Sequence, residues 1–262
     1  MTVTRLDVHA ASAHILSGVR PIATETVALE DALGRILARD VVSPIFLPLA
    51  DNASMDGFAL HADDVRGAST TNPVRLNVVG TIAAGALFTR AVERGEAARI
   101  MTGAFVPQGA DTVIRVEDTE SGDDIVTIID DRDATRNIRF RGEDVRAGHV
   151  VMRAGTAIGA AHIGVLASVG SAAPEVYRKP RVAILATGDE LAPIERFDEV
   201  LAGRRIVSSN SYALAAAVRA AGGEPVPLGV AIDDPEVLAE RLRDADGCDL
   251  VLTSGGVSVG DF

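Results

Sequence analysis

The stretch "RVAILATGDELAP", residues 181–193, begins as an uncharged aliphatic run after Arg181 and breaks at Gly188 into acids. A run that short, ended by Gly, reads as a strand buried on both faces. The pattern then repeats downstream. "SSNSYALAAAVRAAGG" (208–223) reads as a helix, with Ser and Asn at its start as N-caps and Gly222-Gly223 to end it. "EPVPLGVAI" (224–232) is a second strand with a Pro-interrupted start. "DDPEVLAERLRDA" (233–245) is a second helix, with Pro235 suited to its first turn. "DLVLTSGG" (249–256) is the third strand. Strand, helix, strand, helix, strand predicts a parallel, doubly wound sheet.

In such sheets ligands sit beyond the carboxyl ends of the strands. The first end carries Thr187, Gly188, Asp189 and Glu190, and the second carries Asp233 and Asp234. The third carries Ser254, Gly255, Gly256, Ser258, Gly260 and Asp261. Glycines let backbone N–H groups approach a phosphate and Ser hydroxyls add donors. Carboxylates repel a phosphate but hold a Mg²⁺ that bridges to it. The loop is no Walker A sequence, since no Gly-Lys-Ser/Thr follows, and it lacks the dinucleotide fingerprint after the first strand. A plain turn is the competing reading of "SGGVSVG", and the acidic strand ends favour a ligand.

Upstream of about residue 174 the pattern differs. Residues 4–20 and 27–39 have apolar positions at helical spacing, as in "VALEDALGRILA". Between about 74 and 157, β-rich runs ("VRLNVVGTI", "DTVIRVED", "DDIVTIID", "HVVMRAGT") alternate with Gly and Asp turns, which predicts a barrel or sandwich-like β domain. "APEVYRKP" (173–180) reads as a linker.

Composition narrows the class. Hydrophobic residues make up 47% but aromatics only 3%, so the core is aliphatic. No apolar run reaches the roughly 20 residues of a membrane span, and the N-terminus shows no signal pattern, which points to the cytoplasm. The single cysteine, Cys248, excludes an internal disulfide and a cysteine-clustered zinc site. Net charge is −12, with Lys179 the only lysine, and this argues against nonspecific nucleic-acid binding. The five histidines are scattered, without a ligand-spaced pair.

Three upstream segments carry candidate chemistry. "DNASMDGFAL" (51–60) sets Asp51 and Asp56 among small residues, where an Asp capping its own turn is the plainer reading. "RIMTGAFVPQGADTVIRVED" (99–118) holds Thr102-Gly103 at a strand end; two strands and a connector would explain it equally. "NIRFRGEDV" (137–145) presents Arg139 and Arg141 beside Glu143 and Asp144, either a solvated ion-pair cluster or guanidinium forks for an anionic ligand.

Together "DNASMDGFA", "RIMTGAFVPQGADTVI", "NIRFRGEDVRAG", "ILATGDEL" and "TSGGVSVGD" resemble, in order and spacing, the MoeA family of molybdopterin molybdenumtransferases, related to the E domain of gephyrin. The resemblance covers essentially the whole chain. It implies an α/β multi-domain fold: an elongated discontinuous first domain (1–45 and 138–174), an inserted β-rich domain (46–137), and a parallel α/β molybdopterin-binding domain (175–262). That last domain is expected to be incomplete, because family members continue past "SGGVSVGD". The resemblance also implies Mg²⁺-dependent insertion of molybdate into adenylylated molybdopterin with release of AMP. It places catalytic carboxylates at Asp56, Asp144, Glu190 and Asp233, with Thr102 and Arg139 near the substrate. With the strand-end reading, Thr187, Gly188, Ser254, Gly255, Gly256 and Ser258 bind substrate and Glu190, Asp233 and Asp261 bind metal. Implied partners are adenylylated molybdopterin, molybdate and a second copy of the chain, and by extension molybdopterin adenylyltransferase and recipient molybdoenzymes. The alternatives are a non-catalytic fragment or scaffold of the same family, and a molybdopterin adenylyltransferase.

Overall fold

A computed structural model describes residues 6–122 and 124–255. The chain forms two compact units, residues 41–152 and residues 1–40 with 153–262.

The first of these is built on one mixed sheet. Its strands are β1 (Gly57–Leu60), β2 (Val74–Ile82), β3 (Glu96–Ile100), β4 (Thr112–Arg115), β5 (Thr119–Ser121) and β6 (Ile125–Ile128). They lie in the order β4-β1-β3-β2-β6-β5, with only β2 and β3 parallel. The end strands do not pair with each other, so this is an open sheet and not the closed barrel that alternating short strands suggest. Every residue of β1 is buried. Successive side chains of a strand face opposite ways, and β1 accordingly feeds two cores. Phe58 and Leu60 join Val65, Leu76, Ile114 and Ile128, while Ala59 joins Ile82, Ala98, Ile100 and Val113. Residues 138–152 belong to this unit through their pairings: Ile138–Arg139 with Asn52–Ala53, and Val150–Met152 with Val41–Val42.

The other unit holds the parallel sheet. Strands β7 (Arg181–Thr187), β8 (Glu224–Ala231) and β9 (Leu250–Ser254) lie in the order β8-β7-β9. Central β7 is buried from Val182 to Ala186, as its uniform aliphatic sequence requires. Its longer helices are α1 (Val8–Gly18), α2 (Ala160–Ser168), α3 (Ser209–Ala220) and α4 (Pro235–Arg243), with a short one at Phe197–Leu201. Helix α3 packs Ala215 and Val218 onto Val182 and Ile184. Helix α4 starts at Asp234, whose carboxylate accepts from Glu236 N and Val237 N. Pro225 and Pro227 are tolerated in β8 because it is an edge strand with a register shift opposite Ile184/Leu185.

Two expectations are corrected. Residues 27–39 are not a helix: only Leu29–Asp31 makes a 3₁₀ turn. Gly34 at φ 75° reverses the chain; its N–H donates to Ile158 O, Arg35 O accepts from Ile158 N, and Leu37 N donates to Thr156 O. The apolar spacing there serves an extended segment with Leu37 buried and Leu33 exposed. Residues 173–180 are not a free linker either. Glu175–Tyr177 is a strand paired antiparallel with Thr24–Thr26, with Val176 fully buried.

Candidate functional site

The carboxyl edge of the parallel sheet opens into a cavity of about 230 Å³ lined by Thr187, Glu190, Ser208, Asn210, Ser254 and Gly255, among others. The register explains the meeting: Ala186 lies opposite Ser254 and Thr187 opposite Ala231, so three strands end at one level. Gly188 donates its N–H to Ala231 O at 3.1 Å. Its φ is 145°, and a Cβ there would lie 2.5 Å from a Glu190 carboxylate oxygen. The glycine therefore lets the Glu190 side chain fold back against the strand end. Asp233, on the neighbouring strand end, does not line the cavity; its N–H donates to Asp189 Oδ1 at 3.2 Å. Asp234 is occupied as the α4 cap. Gly256, Ser258 and Asp261 lie outside the described residues. Among the described residues no group of three or more His, Cys, Asp or Glu is placed to hold a metal.

Sequence reasoning missed the cavity's other wall. Residues 188–207 make an excursion in which Leu191–Ala192 pairs with Ile206–Val207, and this delivers Ser208, Ser209 and Asn210 to the cavity. No side chain caps α3: the Ser208 hydroxyl is instead shared with Ser211 at 2.7 Å. The positive end of a helix dipole, two serines and an asparagine thus face the same space as the Glu190 carboxylate. The usable signal is positional, because the helix following a parallel strand begins at the ligand-binding edge.

The candidates of residues 41–152 form a separate arrangement. The Asp56 carboxylate accepts from Thr102 Oγ1 at 2.6 Å and from Thr102 N at 2.7 Å. These two bonds, the hydroxyl's first, with the charge of Arg99 behind them, hold the Asp56 carboxyl below the usual range. Asp56 thus ties the loop after β3 to the start of β1 rather than capping its own turn. Gly57 is needed beside it, since a Cβ there would lie 2.0 Å from Ile114 O across the β1–β4 pair. Arg139 Nε donates to Glu143 Oε1 at 2.6 Å, and its Nη2 donates to Asp144. Glu143 first, and then Asp144, raise the pKa of that guanidinium. Asp51 accepts from Arg141 N at 2.7 Å, and the Arg141 guanidinium stacks 3.8 Å from the Phe46 ring centre. Residues 51–56 therefore touch both clusters: Asp51 meets the 139–144 turn and Asp56 meets Thr102.

Comparison with known proteins shows the family. The family description "MoeA N-terminal region (domain I and II)" matches residues 6–170, and "Probable molybdopterin binding domain" matches residues 183–262. A molybdopterin molybdenumtransferase of Nostoc is 42% identical over 91% of this chain and 54% of its own length. One from Staphylococcus epidermidis is 36% identical over 99% of this chain and 61% of its own. The crystal structure of a molybdopterin biosynthesis moeA protein from Pyrococcus horikoshii superposes with a TM-score of 0.86 at 36% identity. That match covers 92% of this chain and 64% of the other. The chain thus spans a little over half the length of these curated relatives.

Proposed function

Since the chain belongs to the MoeA family, we propose that it acts in molybdenum cofactor biosynthesis, as part of a transferase that puts molybdenum onto adenylylated molybdopterin and releases AMP. The observation that carries this reading is the 230 Å³ cavity, where neutral donors and a helix N-terminus surround a single carboxylate. Serine hydroxyls, Asn210 and the first turn of α3 suit phosphate oxygens. Glu190 alone would repel them. The same donor set fits a Mg²⁺ held between one or two carboxylates and substrate phosphates. Glu190, the carboxylate that lines the cavity, would hold it there, and it would supply charge neutralisation at the pyrophosphate; Asp233, proposed as a second ligand, sits on the neighbouring strand end outside the lining. The chain's own share is to grip the phosphates through Ser208, Ser209 and Ser254, and to aim Glu190 by way of Gly188. Asp56, Thr102, Arg139 and Asp144 are proposed to complete the chemistry; the carboxylate partners of Arg139 set its orientation. The family's second copy is proposed as the partner of α1, a helix without a buried residue among those described.

The test is binding and turnover of adenylylated molybdopterin with molybdate and Mg²⁺. Glu190→Gln keeps size and hydrogen-bonding reach and deletes the charge. It should still bind substrate yet release AMP roughly a hundredfold more slowly, as loss of one charge-stabilising group does. Release at the parent rate under limiting Mg²⁺ refutes the role of Glu190. Binding by the parent with no AMP release would leave a substrate-holding unit in place of an enzyme.

A further inference from the structure

A second, larger cavity of about 530 Å³ lies elsewhere, between the exit of α1, the 34–36 turn, the segment 177–180 and the end of α3. Its walls are apolar at Ile22, Ile36 and Tyr177, and its polar side chains are cationic: Arg20, Arg35, Lys179 and Arg178. Among the described residues no carboxylate lines it, on a chain whose net charge is −12. The sole lysine of the sequence is here.

The charge balance shows which cations are free. Arg178 is engaged by Asp249. Arg20 donates only to the carbonyls of Ser17 and Val19, and neither it nor Lys179 has a carboxylate partner among the described residues. Arg35 is only 9% exposed. Its Nη2 donates to Glu25 and to Tyr177 O, and Nε and Nη1 meet no acceptor among the described residues. Glu25 pairs with this guanidinium at one end, and Arg35 lines the cavity wall with further N–H groups that can donate to an acceptor bound there. Ala221 and Gly222, at the carbonyl end of α3, line another part of the wall. That end of a helix dipole disfavours an anion, so the field across the cavity has a direction, toward Arg35.

We propose that this cavity binds a small amphipathic carboxylate. Its apolar ring or branched chain packs on Ile22, Ile36 and Tyr177, and its carboxylate is met by Arg35, with Arg20 and Lys179 at the mouth. The volume falls in the ordinary range for small-molecule sites, roughly 300–1,000 Å³.

Naphthalene-2-carboxylate is a suitable probe, with naphthalene-2-methanol as its uncharged counterpart. Titrated into ¹⁵N-labelled chain, the acid should shift the amides of Gly34, Ile36, Tyr177 and Gly222 saturably, and the alcohol should bind more weakly. Added salt should weaken the acid and not the alcohol. The double variant Arg20→Glu/Lys179→Glu, both exposed positions, should weaken the acid by about tenfold or more, the scale of one lost charge contact. Its own amide spectrum reports its fold. Equal affinity for acid and alcohol, salt-independent binding, shifts confined to the outer face of α1, or no shift at the four amides would each overturn the assignment.

Discussion

Asp249 ties the start of β9 to the segment that leads into β7. Its carboxylate takes both ends of the Arg178 guanidinium, one at 2.7 Å, and the N–H of Arg181 at 2.8 Å. The Arg178 bonds first, then that of Arg181, hold its pKa at about 2, against 3.8 for a free side chain. A depressed carboxylate stabilises the fold fully above its unfolded pKa and ceases to do so as pH falls through the folded one. Arg178 is a third open to water, so the contribution is about 1 kcal/mol after screening, less than the shift alone implies. Asp249→Asn should lower urea stability by that amount at neutral pH, with the gap to the parent closing between about pH 4 and 2. A gap that persists at pH 2 would mean the ion pair is not its source. Gly57→Ala should cost more, about 3 kcal/mol or above, because no backbone can yield to a carbonyl oxygen 2.0 Å away. A chemical-denaturation midpoint within error of the parent would show that β4 gives way. At this scale the sequence was legible in placement, since Thr187, Glu190 and Ser254, read at the ends of separate strands, line one cavity. It was not legible at Ser208–Asn210, because a serine opening a helix already has a sufficient explanation as a cap. Nor could it yield the Asp56–Thr102 bond, which spans 46 residues.

Elements were readable when their periodicity had one cause. β7, α3, β8, α4 and β9 all stand where alternating aliphatic runs and helix signals put them, because a buried parallel strand is uniformly apolar and a covering helix is not. Residues 27–39 misled because extended segments with one buried side can also space their leucines three or four apart, and no local pattern reports that Leu37 will bond with Thr156. The strand at Glu175–Tyr177 was hidden by its flanking prolines, which mark turns but do not prevent a short edge pairing. Helix α1 is the element whose partner is missing from the described residues. Val8, Ile15 and Leu16 recur on one helical face, at 81%, 66% and 65% exposure, and none is buried. An apolar stripe of that kind marks an association surface. If α1 meets a second copy, Leu16→Asp should raise the dissociation constant seen in sedimentation equilibrium by at least about tenfold, a loss of the order of one buried side chain. A parent that stays monomeric at high micromolar concentration would remove α1 from that role.

At the scale of the whole molecule, the connectivity of the two units differs, and that difference has a measurable consequence. Residues 41–152 are continuous in sequence, whereas the other unit is assembled from 1–40 and 153–262. The continuous unit also holds two complete apolar cores, one on each face of its six-stranded sheet, with Phe58, Leu60, Ile100 and Ile114 fully buried by residues of the same unit. Its first and last strands, Val41–Val42 and Val150–Met152, pair with each other, so the ends of the segment are closed by its own hydrogen bonds. A segment that buries its own cores and closes its own ends meets the conditions for autonomous folding. Residues 41–152 expressed alone should therefore unfold in urea as one cooperative transition, with a stability of about 5 kcal/mol, the low end for a domain of this size. The Asp56–Thr102 bond lies inside this segment, so the amide of Thr102 should keep its protection from hydrogen exchange in the fragment. A fragment with a non-cooperative transition, or with Thr102 exchanging freely while β1 stays protected, would show that the two units depend on each other for their order. In that case the Asp56 cluster could not be treated as preformed before substrate arrives.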